Sequence, residues 1–219
     1  GGAERHRAVD GVQGRVAGRP VAIVAYPDVR RMLLTMRAQV ATMRALAYWT
    51  AGFVDRAARA ADPTERAAAT GRVALLTPIV KAWCTDRAQE IAALAVQVHG
   101  GMGFIEETGV AQHYREARIL SIYEGTNGVQ ALDLVARKLA QDDGRLPWLL
   151  LDELRAELPR LPERSALERA LATLEGATRA VQVASEDSRA AASSPYLRLI
   201  GQVLGAFLLG RGAASATAP

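Results

Sequence analysis

Apolar positions recur every three or four residues along most of this chain, the spacing of one face of an α-helix. A first stripe runs through Val29, Leu33, Met36, Val40, Met43, Ala47 and Val54. Pro27-Asp28 opens it. It ends near Asp62-Pro63, because proline disfavours helical geometry in the residue before it. A second stripe starts at Thr64 and carries Val73, Leu76, Val80, Trp83, Ile91, Leu94 and Val98, with Pro78 inside it as an expected kink. The pair Gly100-Gly101 ends it. The pattern predicts helices near 28–61 and 64–98, each about 50 Å long at the usual helical rise. Joined by a short turn, they must run antiparallel.

Shorter stripes follow. A helix is predicted around Val110–Ile119. Thr126 or Asn127 caps another, with Val129, Leu132, Val135 and Leu139 inward, and Asp142-Asp143-Gly144 closes it. Pro147–Leu158 predicts a short helix and Arg164–Ala191 a longer one through Leu167, Leu171, Leu174, Ala177, Val181 and Ala184. Pro195 opens a last helix with Leu197, Ile200, Val203, Leu204, Phe207 and Leu208. No run of β-branched residues alternates in the manner of a strand, and Ala and Leu are abundant. The expected fold class is all-α, an antiparallel helix bundle over residues 1–144 with a helical C-terminal extension, 145–219, packed on it.

Half of the 219 residues are apolar, ample for a core. One cysteine, Cys84, excludes an internal disulfide framework and suits a reducing compartment; beside Trp83 in an apolar stripe it reads as packing. No apolar run is expected to reach the length needed to span a bilayer: Leu197–Leu209 is short and broken by Arg198, Gly201, Gln202 and Gly205. The first residues, Gly-Gly-Ala-Glu-Arg-His-Arg, lack an apolar secretion core, so a cytoplasmic protein without membrane contact is expected. The net charge of +4 is uneven, with ten arginines against four acids in residues 1–60. These arginines are scattered along helical segments and not interleaved with aromatics, and no zinc-ligand spacing accompanies them. They read as a solvated basic face, and no nucleic-acid partner is expected.

The candidate chemistry lies in two short stretches. Gln97-Val98-His99-Gly100-Gly101-Met102-Gly103-Phe104 places glycines at the end of a long helix. Ile122-Tyr123-Glu124-Gly125-Thr126-Asn127 places one carboxylate in a turn that opens the next helix. Glycines let a bulky ligand approach the backbone, and a helix N-terminus offers unpaired N–H groups to oxygen atoms. A carboxylate there can take a proton while N–H groups hold an oxygen that gains charge. The residues point to a proton-abstraction site beside a phosphate-bearing cofactor. Taken alone, Glu124 is also an ordinary acid at a helix N-terminus, and Gly100 an ordinary helix end. His99 reads as a hydrogen-bonded structural histidine, His6 and His113 as exposed, and Tyr114, Arg115 and Arg118 as packing and ion-pair residues.

Gln97 through Gly103, Tyr114-Arg115, Ala117-Arg118-Ile119 and Ile122 through Asn127 together resemble the C-terminal signature of the flavin-dependent acyl-CoA dehydrogenases. The resemblance covers about Asp28 to Lys138. Beyond Lys138 the chain is similar to the extra C-terminal segment of the larger members, such as those acting on methylmercaptopropionyl-CoA and on long acyl-CoAs. The resemblance implies FAD as cofactor, an acyl-CoA thioester as substrate and Glu124 as the base that removes its α-proton, with the backbone N–H of that residue holding the thioester oxygen. It implies that Gln97, Gly100 and Gly101 face the pyrophosphate-adenosine half of a flavin held mainly by a neighbouring subunit. It also implies that Thr126 and Asn127 lie near the flavin and that Gly125 leaves the substrate's approach clear. A homo-oligomer and an electron-transfer flavoprotein as electron acceptor are the implied partners.

Two departures stand out. The family's N-terminal helical domain and flavin-holding β domain have no counterpart in this sequence, and Gly11 stands where the family usually has an arginine toward the flavin phosphates. The chain is therefore expected to be the C-terminal part of such an enzyme, inactive by itself. The alternative expectation is a non-catalytic helical module retained for oligomerisation or interaction.

Overall fold

A computed structural model describes residues 15–16 and 19–216, with side chains from Val21 to Ala216. Gly11 and His6 lie outside the described residues. Eight α-helices account for most of what is described: α1 Pro27–Arg59, α2 Pro63–His99, α3 Gly101–Phe104, α4 Val110–Leu120, α5 Asn127–Ala136, α6 Leu146–Glu157, α7 Arg164–Val183 and α8 Glu186–Ala216. A two-residue antiparallel ladder, Arg15–Val16 with Arg19–Pro20, precedes them. The fold class is all-α, as the stripes predict.

The chain packs as two units. Of the described residues, one holds those up to Val40 and 87–119, the other 41–86 and 120–216. The second unit contains the large core. Leu46 and Phe53 of α1 and Leu75, Leu76, Ile79 and Trp83 of α2 pack with Leu134 and Val135 of α5. Leu150, Leu151 and Leu154 of α6, Leu171 and Leu174 of α7, and Leu197 to Leu208 of α8 complete it. Helices after Arg145 thus share one core with α2 and α5, so the expected division at Gly144/Arg145 is a division along the sequence and not of packing.

α1 and α2 reverse direction over Ala60–Asp62. Asp62 Oδ1 accepts from Thr64 N at 2.9 Å, and Arg66 Nη1 donates to the Ala60 and Ala61 carbonyls, which α1 leaves unpaired. Beyond the turn Arg72 lies over the Phe53 ring at 5.5 Å. Four charged groups join there: Arg72 pairs with Glu153 at 2.9 Å, and Arg211 of α8 with Glu153 and Glu157 of α6. The buried face of α1 is rotated from the expected stripe. Met32, Thr42, Leu46, Thr50 and Phe53 are buried, while Val40 and Val54 are exposed. Two threonines on the true inner face hide it from an apolar pattern. Thr50 can be buried because its hydroxyl donates to Leu46 O at 2.8 Å, and Thr42 lies where Gly205 of α8 comes closest.

α8 departs most from expectation. Pro195 does not open it: α7 ends at Val183 and α8 begins at Glu186, with Pro195 inside. Ser185, whose Oγ accepts from Ser188 N at 3.4 Å, with Glu186 and Asp187 after it, supplies the start signal. Among the described residues α8 is also the one helix long and apolar enough, by length and composition, to cross a membrane, which corrects the expectation that no segment reaches that length. Here its apolar residues enter the core. A Cβ on Gly201 would lie 2.4 Å from the Trp83 ring and one on Gly205 2.2 Å from Thr42 Cγ2, so both glycines are required for that close approach. α5 also stops earlier than expected, at Ala136. Leu139 is buried from a following 3₁₀ turn, and Asp142, Asp143 and Gly144, all at positive φ, form a separate one.

The first unit is thinner. Ile23, Met32, Ala92, Gly103 and Ala117 are buried there, whereas Leu34 and Phe104 are 63% and 81% exposed.

Candidate functional site

Residues Gln97, Gly100 and Gly101 fall in the first unit and residues Glu124 to Asn127 in the second. In the first, α2 ends at His99, whose Nδ1 donates to Ala95 O at 2.8 Å, a structural role. Gly100 turns the chain at φ 62°, ψ −147°, a conformation that in practice needs glycine. Its N–H donates to Gln97 O at 3.1 Å, and Gly103 N donates to Gly100 O at 2.8 Å. Gly103 is required by packing, since a Cβ there would lie 2.4 Å from Val96 O. Gly101 is not required: a Cβ would meet nothing within 4 Å, and its φ is not positive. The Gln97 side chain is exposed and hydrogen-bonds to none of the described residues. An apolar cleft of about 690 Å³ beside α3 is lined by Ala93, Val96, Phe104, Ile105 and Tyr114. Arg115 closes its rim with a two-pronged pair to Glu106 at 2.7 and 2.8 Å, and these bonds hold the Glu106 carboxyl below the usual carboxylate range.

The Glu124 turn is built differently. Glu124 has φ 54° and Gly125 φ 82°, two consecutive left-handed residues. For the glutamate this costs on the order of 1–2 kcal/mol. The carbonyls they turn outward are both taken by side chains: Gln130 Nε2 donates to Glu124 O at 3.1 Å and Lys81 Nζ to Gly125 O at 2.7 Å. Thr126 caps α5, its Oγ1 accepting from Val129 N at 3.3 Å, which leaves its hydroxyl proton free to donate. The Glu124 carboxylate is exposed and makes no ion pair with the described residues.

Asn127 is the anchor. Its Oδ1 accepts from Lys81 Nζ at 2.9 Å and Thr85 Oγ1 at 3.2 Å. Its Nδ2 donates to Asp86 Oδ1 at 2.7 Å, with Thr85 Oγ1 and Ala82 O at 2.9 and 3.1 Å. The amide is fully engaged with α2, so its side chain serves the turn and is not spare for a cofactor. Lys81, Thr85 and Asp86 are residues that sequence reasoning missed. They stand 41 to 46 positions from Asn127, and no local spacing signals such a pairing. Cys84, between them, is no nucleophile: burial pushes its thiol up to about 11.

Residues 4–140 match the family model for the C-terminal domain of acyl-CoA dehydrogenases, and the chain belongs to that family. It is 42% identical to the 3-methylmercaptopropionyl-CoA dehydrogenase of Ruegeria pomeroyi over 96% of its own length and 39% of the relative's. A butyryl-CoA dehydrogenase of Syntrophomonas wolfei is 38% identical over 58% of this chain and 21% of the relative. The chain thus spans about two fifths or less of these relatives. The fold matches that of an acyl-CoA dehydrogenase from Bacillus anthracis crystallised with FAD, with a TM-score of 0.69 and 22% identity over 94% of this chain and 38% of that one.

Proposed function

We propose that this chain supplies the proton-abstracting part of an FAD-dependent acyl-CoA dehydrogenase, with Glu124 as the base. The supporting observation is the Glu124 turn itself: an exposed carboxylate, without an ion pair to the described residues, on a strained residue whose own carbonyl and the one after it are both tied down. An α-proton of a thioester is a weak acid, and its removal needs a correctly placed acceptor with a donor for the developing oxyanion. The Glu124 carboxylate accepts the proton; the N–H of the same residue donates to the thioester oxygen; Gly125 keeps the approach free of a side chain.

The residues at hand fit a flavin edge. Gly101 presents backbone that no packing demand explains, the Gln97 amide is uncommitted, and the Thr126 hydroxyl has a proton to donate. In this reading Gln97, Gly100 and Gly101 touch the pyrophosphate-adenosine half of a flavin held mainly by a neighbouring subunit, and Thr126 lies near the flavin of the Glu124 site, while Asn127 fixes the Glu124 turn to α2. FAD, when bound, supplies the acceptor for the substrate's β-hydrogen as hydride, and an electron-transfer flavoprotein draws off the electrons. One relative is named as a subunit of a caffeyl-CoA reductase–Etf complex, which supports that partner class. The exposed Phe104, 81% accessible beside an apolar cleft, supports association with a second copy. The same surface favours the second reading, a non-catalytic association module. Flavin retention separates the two.

The test is a chimera in which this chain replaces the matching part of the Ruegeria enzyme. Glu124→Gln keeps size and hydrogen bonding but accepts no proton. It should retain flavin and acyl-CoA binding and slow flavin bleaching in a single turnover by about 10²–10⁴-fold. Bleaching as fast as in the parent chimera would remove Glu124 as the base.

A further inference from the structure

We infer that Lys81 is a positioning residue for the Glu124 carboxylate, an inference that rests on Glu124 being the base. The turn has two ends. Its downstream end is held within α5, by the Thr126 cap and by Gln130, which belongs to α5 itself. Those bonds fix the turn to α5, whose inner face is packed in the core, and leave its contact with α2 to other residues. The tie to α2 is made by Lys81 and Asn127. Lys81 Nζ donates to Gly125 O at 2.7 Å, one residue after the base, and to Asn127 Oδ1 at 2.9 Å.

Charge makes this tie directional. The Asn127 amide lies between a cation and an anion, its oxygen toward Lys81 and its nitrogen toward Asp86 Oδ1 at 2.7 Å. The reverse orientation would set the amide nitrogen against the ammonium and the oxygen against the carboxylate, so one orientation is enforced. With Asn127 fixed, its N–H donates to Ser121 O at 3.1 Å and closes the loop from Ser121 to Asn127 around Glu124. Lys81 therefore fixes both the carbonyl after the base and the residue that closes its loop. A base displaced by about 1 Å can lose on the order of 10²-fold in rate. A side chain that sets this geometry contributes to turnover far more than its partly exposed bonds contribute to stability.

The experiment uses the same chimera. Lys81→Met keeps the stem and removes the donors. It should leave flavin content and the acyl-CoA KM within about threefold, and slow single-turnover flavin bleaching by roughly 10- to 100-fold. Lys81→Arg, which can donate to the same two oxygens, should recover much of that loss. Combined with Glu124→Gln, Lys81→Met should add nothing, since no base is left to place. If Lys81→Met bleaches within twofold of the parent while Glu124→Gln is slow, the positioning role falls and the base stands. An equal further loss in the Glu124→Gln background also overturns it, by marking Lys81 as structural. A fast Glu124→Gln variant removes the base reading instead. Hydrogen exchange on the 219-residue chain gives an independent measure. Lys81→Met should speed exchange of the Asn127 amide, which donates to Ser121 O, at least tenfold and leave α6 and α7 unchanged; an unchanged rate at that amide counts against the proposal.

Discussion

Two turns of this chain pair a glycine at positive φ with residues of the candidate site, and they are held in opposite ways. At residues 97–103 the main-chain bonds Gly100 N to Gln97 O and Gly103 N to Gly100 O carry the turn, and the Gln97 side chain bonds to none of the described residues. At residues 121–127 one main-chain bond, Asn127 N to Ser121 O, closes the loop, and side chains do the rest: Lys81 and Gln130 take up the Gly125 and Glu124 carbonyls and the Asn127 amide ties the turn to α2. The first arrangement leaves open backbone, suited to a large ligand that brings its own contacts. The second fixes one carboxylate, suited to a group whose position decides a rate. The turn proposed to hold the base therefore carries the strained non-glycine residue and the charged ties, and the other carries open space at Gly101.

Replacing single glycines tests this contrast. The largest effect should come from Gly103→Ala. The new Cβ would lie 2.4 Å from Val96 O and 2.9 Å from His99 Cβ, and a backbone carbonyl cannot swing aside as a side-chain tip can. Overpacking of this kind costs about 1–3 kcal/mol, and more when backbone must move. Faster hydrogen exchange across residues 97–110, with the α6 and α7 amides unchanged, is the expected record. Native exchange there would mean that α3 shifts without cost.

Gly125→Ala should rank next. Its φ of 82° places an alanine in the left-handed region at a cost of about 1–2 kcal/mol, and the Cβ would stand 3.2 Å from Gln130 Nε2. Gln130 can retreat, but only by loosening its bond to Glu124 O. In the chimera, single-turnover bleaching should slow by about tenfold or more, with melting lowered by a few degrees. Melting lowered with an unchanged bleaching rate would show that the turn tolerates displacement, and the contrast between the two turns would weaken.

How much of this was legible beforehand differs by kind of signal. Helix existence was carried by local periodicity, and α1, α2, α4, α5 and α6 stand close to where the stripes place them. The rotation of α1 was hidden because Thr42 and Thr50, polar by composition, lie on its buried face. The α7–α8 junction was misread because residues 189–194 are Arg, Ala and Ser, which leave no apolar stripe before Leu197, so Pro195 passed for a start. The Ser185-Glu186-Asp187 start signal lies inside the continuous stripe expected for Arg164–Ala191. The Glu124 motif was legible because its glycine, cap and carboxylate are contiguous. The Lys81–Asn127–Asp86 tie was not, because it joins residues more than forty positions apart through burial and charge that no local window records.

The smallest structural effect, and the sharpest use of the contrast, is expected for Gly101→Ala. Gly101 is the first residue of α3, its φ is not positive, and an added Cβ meets nothing within 4 Å. Alanine is the better helix former, by up to about 1 kcal/mol in a helix interior and less at an end. Folding alone therefore favours alanine slightly, and melting of the 219-residue chain should stay level or rise by a degree or two. If Gly101 is glycine because a flavin lies against its backbone, the same methyl should weaken flavin retention in the chimera by about tenfold, which corresponds to roughly 1.4 kcal/mol. Gly103→Ala should show the reverse balance, losing structure first. A Gly101→Ala chimera that keeps its flavin as tightly as the parent would leave this glycine without a role in binding, and the 97–101 edge would then rest on Gln97 and Gly100.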